Sequence, residues 1–185
     1  AMNGPVGAAH LEDGSAVAAW DGSLYSGGMR VVVRSNDGKL GKISTLGTKH
    51  ARGLSLRVGP KSLQHLAFIY SQMNKPRVLR HATRTGAEAW KIEDVPTPTP
   101  GNILLATRMD LTPSGDVGLL VSENLKDQLY YLERSANAWS KPAALPFYAA
   151  YEFEMAIAAD GTAHTVARNY AGLSYSSGKA GTHTL

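Results

Sequence analysis

The chain has 185 residues, a formal net charge of +4 and no cysteine, and 43% of its residues are hydrophobic while 18% are charged. This composition excludes a disordered chain, and the lack of cysteine excludes disulfides and thiol chemistry. A chain without cysteine suits the cytosol and many bacterial exported proteins alike, so the compartment stays open. Lysine and arginine are scattered singly, which argues against nucleic acid as a partner, and no apolar run approaches the ~20 residues of a membrane span.

The first predicted unit runs from about residue 4 to residue 46. The turn Asp13-Gly14 precedes an apolar run at 16–20. Aspartate and glycine suit such a reversal because they supply local hydrogen bonds and a positive φ. A third strand at 30–34 enters the polar turn 35–38. The unit is therefore expected to be four short antiparallel strands.

Units 2 and 3, at about 54–95 and 103–145, repeat this order. Turns at 59–62 and 114–115 precede apolar runs at 66–70 and 117–121, and third strands follow at 79–84 and 129–134. Arg34, Arg84 and Arg134 hold the same place in three units, 50 residues apart each time (84 − 34 and 134 − 84). Trp90 and Trp139 then begin the outermost strand. Unit 4, at about 153–185, has the turn 160–161 and a degenerate third strand at 173–178.

A period near 50 residues predicts a repeat architecture. The inner strands carry apolar residues on both faces, as in the run from Leu66 to Ile69, so each sheet needs a neighbour on both sides. Radial stacking satisfies this for all units. A sandwich with Greek-key connections explains the strands but not the period. The sequence thus predicts one all-β domain over 1–185, a β-propeller or propeller fragment with four four-stranded antiparallel blades.

The segment from Ser35 to Leu40, Ser-Asn-Asp-Gly-Lys-Leu, resembles the Asp-box turn of sialidase-like β-propellers, Ser-x-Asp-x-Gly-x-Thr-Trp. Gly38 comes one place early and the tryptophan is missing, whereas Trp90 and Trp139 keep the tryptophan without the aspartate. The resemblance implies the fold, and in that family the Asp box is a structural turn remote from the active site.

The resemblance also implies candidate site residues. Sialidase-like enzymes use arginines, a Tyr-Glu pair and an acidic aspartate near the central axis, and a tyrosine nucleophile is a known exception among glycoside hydrolases. Arg52, Arg108, Tyr151, Glu152 and Glu154 lie just before or at the first strand of their units, where side chains approach the axis. The Arg-Ile-Pro signature is absent and six units are usual, so no catalytic residue is predicted. The alternative is a set of solvated residues at a channel mouth.

Aromatic residues suggest a binding surface. Trp20, Tyr70 and Tyr151, with Tyr25, Tyr148 and Tyr170, fall in or beside loops at one end of the units, and aromatic platforms favour sugars and peptides. The alternative is that each ring covers the core of its own blade. His65 and His164 hold matching places without metal-ligand spacing, so a structural role, no metal and no cofactor are expected.

We therefore expect a non-enzymatic binding or scaffold module, part of a larger bacterial extracellular or periplasmic protein, that presents loops to a protein or glycan. The predicted ligand-binding residues are Trp20, Arg52, Tyr70, Arg108, Tyr151, Glu152 and Glu154. The alternative is a sialidase-like hydrolase or lyase fragment. A further possibility is assembly, because a chain that begins with a first strand and ends with a fourth donates no strand across a ring closure. A homodimer could then complete the ring.

Overall fold

Four antiparallel sheets, one for each predicted unit, make up the described part of the chain. The computed structural model describes residues 6–21, 28–46, 51–71, 75–98, 104–123, 128–148, 152–169 and 172–178. Strands that follow one another in the chain pair within each sheet, so the predicted all-β fold of repeated antiparallel sheets is confirmed. We call the sheets blades 1 to 4.

Blades 1 and 2 have four strands each. The strands of blade 1 are β1 Val6–His10, β2 Ala16–Asp21, β3 Met29–Arg34 and β4 Ser44–Leu46. The strands of blade 2 are β5 Ala51–Val58, β6 Leu63–Tyr70, β7 Val78–Thr85 and β8 Lys91–Asp94, with a short 3-10 turn at Pro60–Ser62. The described residues contain no helix long and apolar enough to cross a membrane.

Blade 3 contains β9 Leu104–Leu111, β10 Val117–Glu123 and β11 Gln128–Ser135. Two short strands, β12 Ala138–Trp139 and β13 Ala143–Tyr148, share its outer edge because both pair with β11. Blade 4 contains β14 Glu152–Ile157, β15 Ala163–Asn169 and β16 Gly172–Gly178. Its predicted fourth strand would follow residue 178, outside the described residues.

The first hairpins of blades 1, 3 and 4 close through the same turn. In blade 1 the Leu11 amide donates to the Ser15 carbonyl at 2.9 Å and the Gly14 amide donates to the Leu11 carbonyl at 3.1 Å. Gly115 and Gly161 hold the place of Gly14, and the three φ values lie between 81° and 90°. Other residues are strained in this left-handed region. The glycines visible in the sequence therefore set the register of these hairpins.

Apolar cores lie between the blades. Val31 and Leu66 belong to the cluster between blades 1 and 2, and Leu120 and Phe153 to the cluster between blades 3 and 4. Leu119 belongs to the middle cluster, between blades 2 and 3. Successive strand residues point to opposite faces, so Leu119 and Leu120 of β10 are both fully buried, against different neighbours. This is the two-sided burial that the apolar runs predicted.

The blades form an open arc. Strand packing between blades links blade 1 to blade 2, blade 2 to blade 3 and blade 3 to blade 4. No substantial contact joins described elements of blade 4 to described elements of blade 1. The face of blade 4 turned away from blade 3 exposes Val166 (38%), Tyr175 (49%) and Leu173 (76%). Within the described residues, one apolar face of the arc thus has no neighbouring blade.

Candidate functional site

Two of the predicted ligand-binding residues, Arg108 and Glu154, meet between the first strands of blades 3 and 4. Arg108 Nε lies 2.6 Å from Glu154 Oε1, and the guanidinium lies 5.5 Å from the centroid of the Phe153 ring. Both charged side chains are exposed to solvent, at 35% and 67%. Neither residue lines the clefts described below, so their contact is an exposed ion pair between blades.

The other predicted axial residues do not join this pair in the described structure. Glu152 lies in β14 and pairs with Arg168 of β15, at 3.3 Å from Nη1 to Oε2. Arg52 lies in β5, but its side chain is outside the described part, as is the whole of Tyr151. The predictions for Arg52 and Tyr151 are therefore untested.

The predicted aromatic residues lie at strand ends. Tyr70 ends β6, where the Arg80 guanidinium lies 4.4 Å from its ring centroid and the ring packs against the core between blades 1 and 2. Trp20 of β2 is half-buried and pairs with Arg30 of β3 on the face of blade 1 turned away from blade 2. Tyr70 is thus already engaged by the protein. Tyr25, Tyr170 and the Tyr148 side chain are outside the described part.

The arginine repeat places guanidinium groups between blades. Arg84 pairs with Gln64 across β6 and β7, and Arg134 pairs with Val117 across β10 and β11. These are the same register position in blades 2 and 3. Side chains at this position share a face with the residues that pack on the preceding blade. The arginine that marks the repeat in the sequence therefore also places a guanidinium on the face that meets the preceding blade.

The first cleft lies between blades 1 and 2 and has a cavity volume of about 760 Å³. Arg84 and Gln64 line it from blade 2, and Ser44 lines it from the outer strand of blade 1. The Arg84 guanidinium lies 4.5 Å from the Trp90 ring centroid, and its Nε donates to Gln64 Oε1 at 2.9 Å. Arg84 is 9% exposed, and burial lowers the pKa of its guanidinium.

Arg84 has no neutralising carboxylate among the described residues. It forms no ion pair there, and its terminal nitrogens donate to no described atom. Asp127 is the one acidic side chain outside the described part of the chain. Asp13 also lines the first cleft, but its Oδ1 accepts hydrogen bonds from the Ser15 amide at 2.9 Å and the Ser15 hydroxyl at 2.5 Å.

The second cleft lies between blades 2 and 3 and has a cavity volume of about 590 Å³. Arg134 Nε lies 2.6 Å from Glu93 Oε1, and Nη2 lies 3.4 Å from Oε2. Trp139 Nε1 also donates to Glu93 Oε1, at 3.1 Å. Burial raises the pKa of Glu93, but the hydrogen bonds from His81, Arg134 and Trp139 outweigh this and hold the pKa below its usual value. The guanidinium of this cleft is therefore neutralised by the protein itself.

One position in the preceding blade accounts for this difference. Glu93 of β8 pairs with His81 of β7, and the corresponding residue of blade 1 is Ser44 of β4, which pairs with Val31 of β3. The Ser44 hydroxyl donates to the Val31 carbonyl at 3.3 Å. A serine supplies no charge, so Arg84 faces a neutral residue where Arg134 faces a carboxylate.

Two buried histidines support the second cleft. His81 Nδ1 lies 2.9 Å from Glu93 Oε1, so it donates to the carboxylate, and neutral His81 then accepts at Nε2 from His65 Nδ1 at 3.2 Å. Burial lowers the pKa of His65 to about 4, with further lowering by His81 and Arg134. Burial also lowers the pKa of His81, against the opposing effect of Glu93. Both rings are neutral near pH 7.

The repeat is incomplete at both ends of the arc. In blade 4 the arginine position is Gly178, which pairs with Ala163, and the cavity between blades 3 and 4 measures about 170 Å³. In blade 1 the position is Arg34, which is exposed because no described blade precedes it. Among the described residues, the first and second clefts are thus the cavities lined by an arginine of this repeat.

Sequence reasoning overlooked this site although its marker was visible. The recurrence of a charged residue on an apolar strand face was a usable signal, since such a position meets the next blade. No sequence pattern indicated a role for Gln64, Ser44 or Glu93, because that role depends on which blades become neighbours. Among the described residues, no group of three histidine, aspartate or glutamate side chains could hold a metal ion.

No protein-family model matches the sequence, and no curated protein matches it. The fold is similar to that of the BP39L lectin from Burkholderia pseudomallei, with 12% identity over 98% of this chain and 54% of that chain and a TM-score of 0.72. It is also similar to a lectin from Aleuria aurantia in complex with Fucα1-6GlcNAc, with 12% identity over 100% of this chain and 62% of that chain and a TM-score of 0.65.

A third similar structure is the Hadza microbial sialidase Hz136, with 12% identity over 100% of this chain and 46% of that chain and a TM-score of 0.71. The chain thus spans between 46% and 62% of the length of these three chains. Identities this low show the fold alone. At that level the predicted resemblance to sialidase-like propellers is confirmed.

Proposed function

We propose that this chain is a non-enzymatic glycan-binding module whose sugar sites are the first and second clefts. The observation that carries the proposal is the interblade arginine, accompanied by a tryptophan, that recurs at both clefts. Cavities of about 760 and 590 Å³ lie within the range of small-ligand sites. The lectins named above share this fold, which supports the proposal without identifying the sugar.

The second cleft has the chemistry to bind sugar hydroxyls. A hydroxyl both donates and accepts hydrogen bonds, so neighbouring hydroxyls pair best with a donor and an acceptor placed side by side. Glu93 of blade 2 supplies carboxylate oxygens, while Lys91 of blade 2 and Arg134 of blade 3 supply donors. Neither Trp90 nor Trp139 lines its cleft, so the indoles position the polar groups rather than stack on a sugar ring.

A glycan array followed by calorimetry with the glycans that bind tests this proposal. The double variant Arg84→Gln, Arg134→Gln should lose affinity about tenfold or more, because charge-assisted hydrogen bonds to ligand are removed. Lys39→Gln is the control, since it removes a cation that is 85% exposed and lines neither cleft. Wild-type protein that binds no glycan would contradict the proposal, as would a double variant that binds like wild type.

The hydrolase alternative depends on the contact between Arg108 and Glu154, the two members of the predicted axial set that meet in the described structure. A sialidase-like enzyme should release product from a panel of aryl glycosides and lose this activity in Arg108→Ala or Glu154→Gln. A binding module should show no turnover by any of the three proteins. Turnover that depends on Arg108 would replace the glycan-binding proposal with the hydrolase.

The predicted partners also include a second copy of the chain. The exposed face of blade 4 carries Val166, Leu173 and Tyr175 in register positions that are buried between the other blades. The opposite end of the arc is the face of blade 1 that bears Ala18 and Val32, both half-buried. We infer that the blade 4 face of one copy packs against the blade 1 face of another copy. This contact would follow the three packings between neighbouring blades within one chain.

A further inference from the structure

The first cleft differs from the second in having donors without acceptors. The two terminal nitrogens of Arg84 donate no hydrogen bond to a described atom. Gln64 is fully buried, and its amide Nε2 also has no described hydrogen-bond partner. Since buried polar groups nearly always have partners, this concentration of donors indicates a ligand that brings the acceptors.

The charged side chains that line the two clefts also make the first cleft more positive than the second. The first cleft is lined by two cationic side chains, Arg84 and Lys42, and by one carboxylate, Asp13. In the second cleft two cations face two carboxylates, Glu93 and Asp116. The first cleft thus keeps one positive charge in excess, on a guanidinium shielded from water, where attraction to an anion is stronger than at the surface.

We propose that the first cleft binds the oxyanion of an acidic glycan, a carboxylate or a sulfate, which the terminal nitrogens of Arg84 and the amide of Gln64 hold together. This inference depends on the proposed glycan-binding function and narrows it. The second cleft, with its guanidinium already paired to Glu93, takes a neutral part of a glycan.

The geometry of Arg84 favours this ligand chemistry. A planar guanidinium donates two parallel hydrogen bonds to a carboxylate or sulfate, whereas a lysine acts as a point charge. The contacts of Arg84 with the Trp90 ring and with Gln64 Oε1 engage one face and Nε, and they leave the terminal nitrogens available. The guanidinium is therefore held in place before any ligand arrives.

The test is a set of uronate-, sialate- and sulfate-bearing glycans, each beside its neutral parent, titrated into wild-type protein and three variants. Wild type should bind at least one acidic glycan about tenfold or more tightly than its neutral parent, and the difference should shrink as NaCl rises from about 50 to about 300 mM. Arg84→Gln should abolish this difference. Ser44→Glu should abolish it too, because it places a carboxylate where Glu93 neutralises Arg134 in the second cleft.

Lys39→Gln, which removes an exposed cation outside both clefts, is the control and should keep the preference. Urea denaturation verifies that each variant is folded. Because Ser44→Glu leaves Arg84 in place, it keeps the test valid if Arg84→Gln does not fold. The uronate and sulfate arms identify which oxyanion is preferred. A wild-type protein that binds neutral glycans without any preference for acidic ones overturns this inference and leaves the proposed function intact. Binding of no glycan at all overturns both.

Discussion

Arg134 of blade 3 and Glu93 of blade 2 join two blades through a paired contact, with Nε 2.6 Å from Oε1 and Nη2 3.4 Å from Oε2. One blade earlier, Arg84 holds the same register position without a carboxylate, because Ser44 stands where Glu93 would be. The same repeat thus yields one neutralised cleft and one cationic cleft. Four further predictions follow from this arrangement and from the packing around it.

Glu93→Ser should destabilise the fold and change the second cleft. The carboxylate accepts from His81, Arg134 and Trp139, so its loss should lower the free energy of unfolding by about 2–3 kcal/mol. Arg134 would then lack its carboxylate partner, and the second cleft should gain affinity for acidic glycans. Urea denaturation and calorimetry measure the two effects. Glu88→Ser, at an exposed turn position, should change neither. An unchanged glycan preference in Glu93→Ser would contradict the charge argument.

Stability should fall between about pH 6.5 and about pH 4 because of His65. Its folded-state pKa, about 4, lies below the unfolded value near 6.5, so the unfolded chain binds more protons in this range. The loss in the free energy of unfolding should be on the order of 3 kcal/mol. It should be complete below the pKa of the folded state and absent above about pH 6.5. The lowered pKa of His81 also makes stability fall as the pH falls. The lowered pKa of Glu93 adds a further loss of stability at lower pH, where its carboxylate becomes protonated.

Urea midpoints measured between about pH 7.5 and about pH 4 check this prediction. His65→Gln should flatten the slope. His164→Gln is the control at the matching position of blade 4, where the ring is half-buried and meets Tyr175, and it should keep the wild-type slope. If both variants have the same slope, His65 is not the responsible group.

Gly53→Ala should be more damaging than Gly86→Ala although the two glycines have nearly the same backbone. Their φ values are 56° and 54°, so each alanine costs about 1–2 kcal/mol of strain. At Gly53 the added Cβ would also lie 2.8 Å from Ala106 Cα and 2.9 Å from Thr107 N, across the junction of blades 2 and 3, while nothing lies within 4 Å at Gly86. Gly53→Ala should lose about 2 kcal/mol more in urea denaturation. Equal losses would show that the two blades can separate at this point without cost.

The exposed face of blade 4 should mediate self-association of this chain. Light scattering coupled to size exclusion should give a mass above the 19.7 kDa of one chain, and Leu173→Asp should return it to one chain. A carboxylate at this position would be buried without a partner in the pair, which is costly. Leu40→Asp is the control, since this side chain is equally exposed, at 72%, on the edge of blade 1. A wild-type mass of one chain at high concentration would refute the assembly.

Much of the fold could be predicted from the residues because its signals are local. The turn of Asp13-Gly14, its counterparts at Gly115 and Gly161, and the apolar runs beside them specify hairpins within a few residues of chain. The 50-residue spacing of Arg34, Arg84 and Arg134 then specified that the unit repeats. Of the predicted axial residues, Arg108 and Glu154 are seen together in the described structure, and the prediction for the set as a whole stays a prediction.

The sequence by itself determined the strands, their order in each blade and the need of each blade for neighbours, because hydrophobic alternation and turn chemistry act over short stretches. Only the tertiary structure decided that Arg84 and Arg134 face clefts, that Glu93 neutralises one and that Ser44 leaves the other charged. Partners such as Arg134 and Glu93 are 41 residues apart and belong to different blades. Their contact depends on how one sheet stacks on the next, which no local pattern encodes.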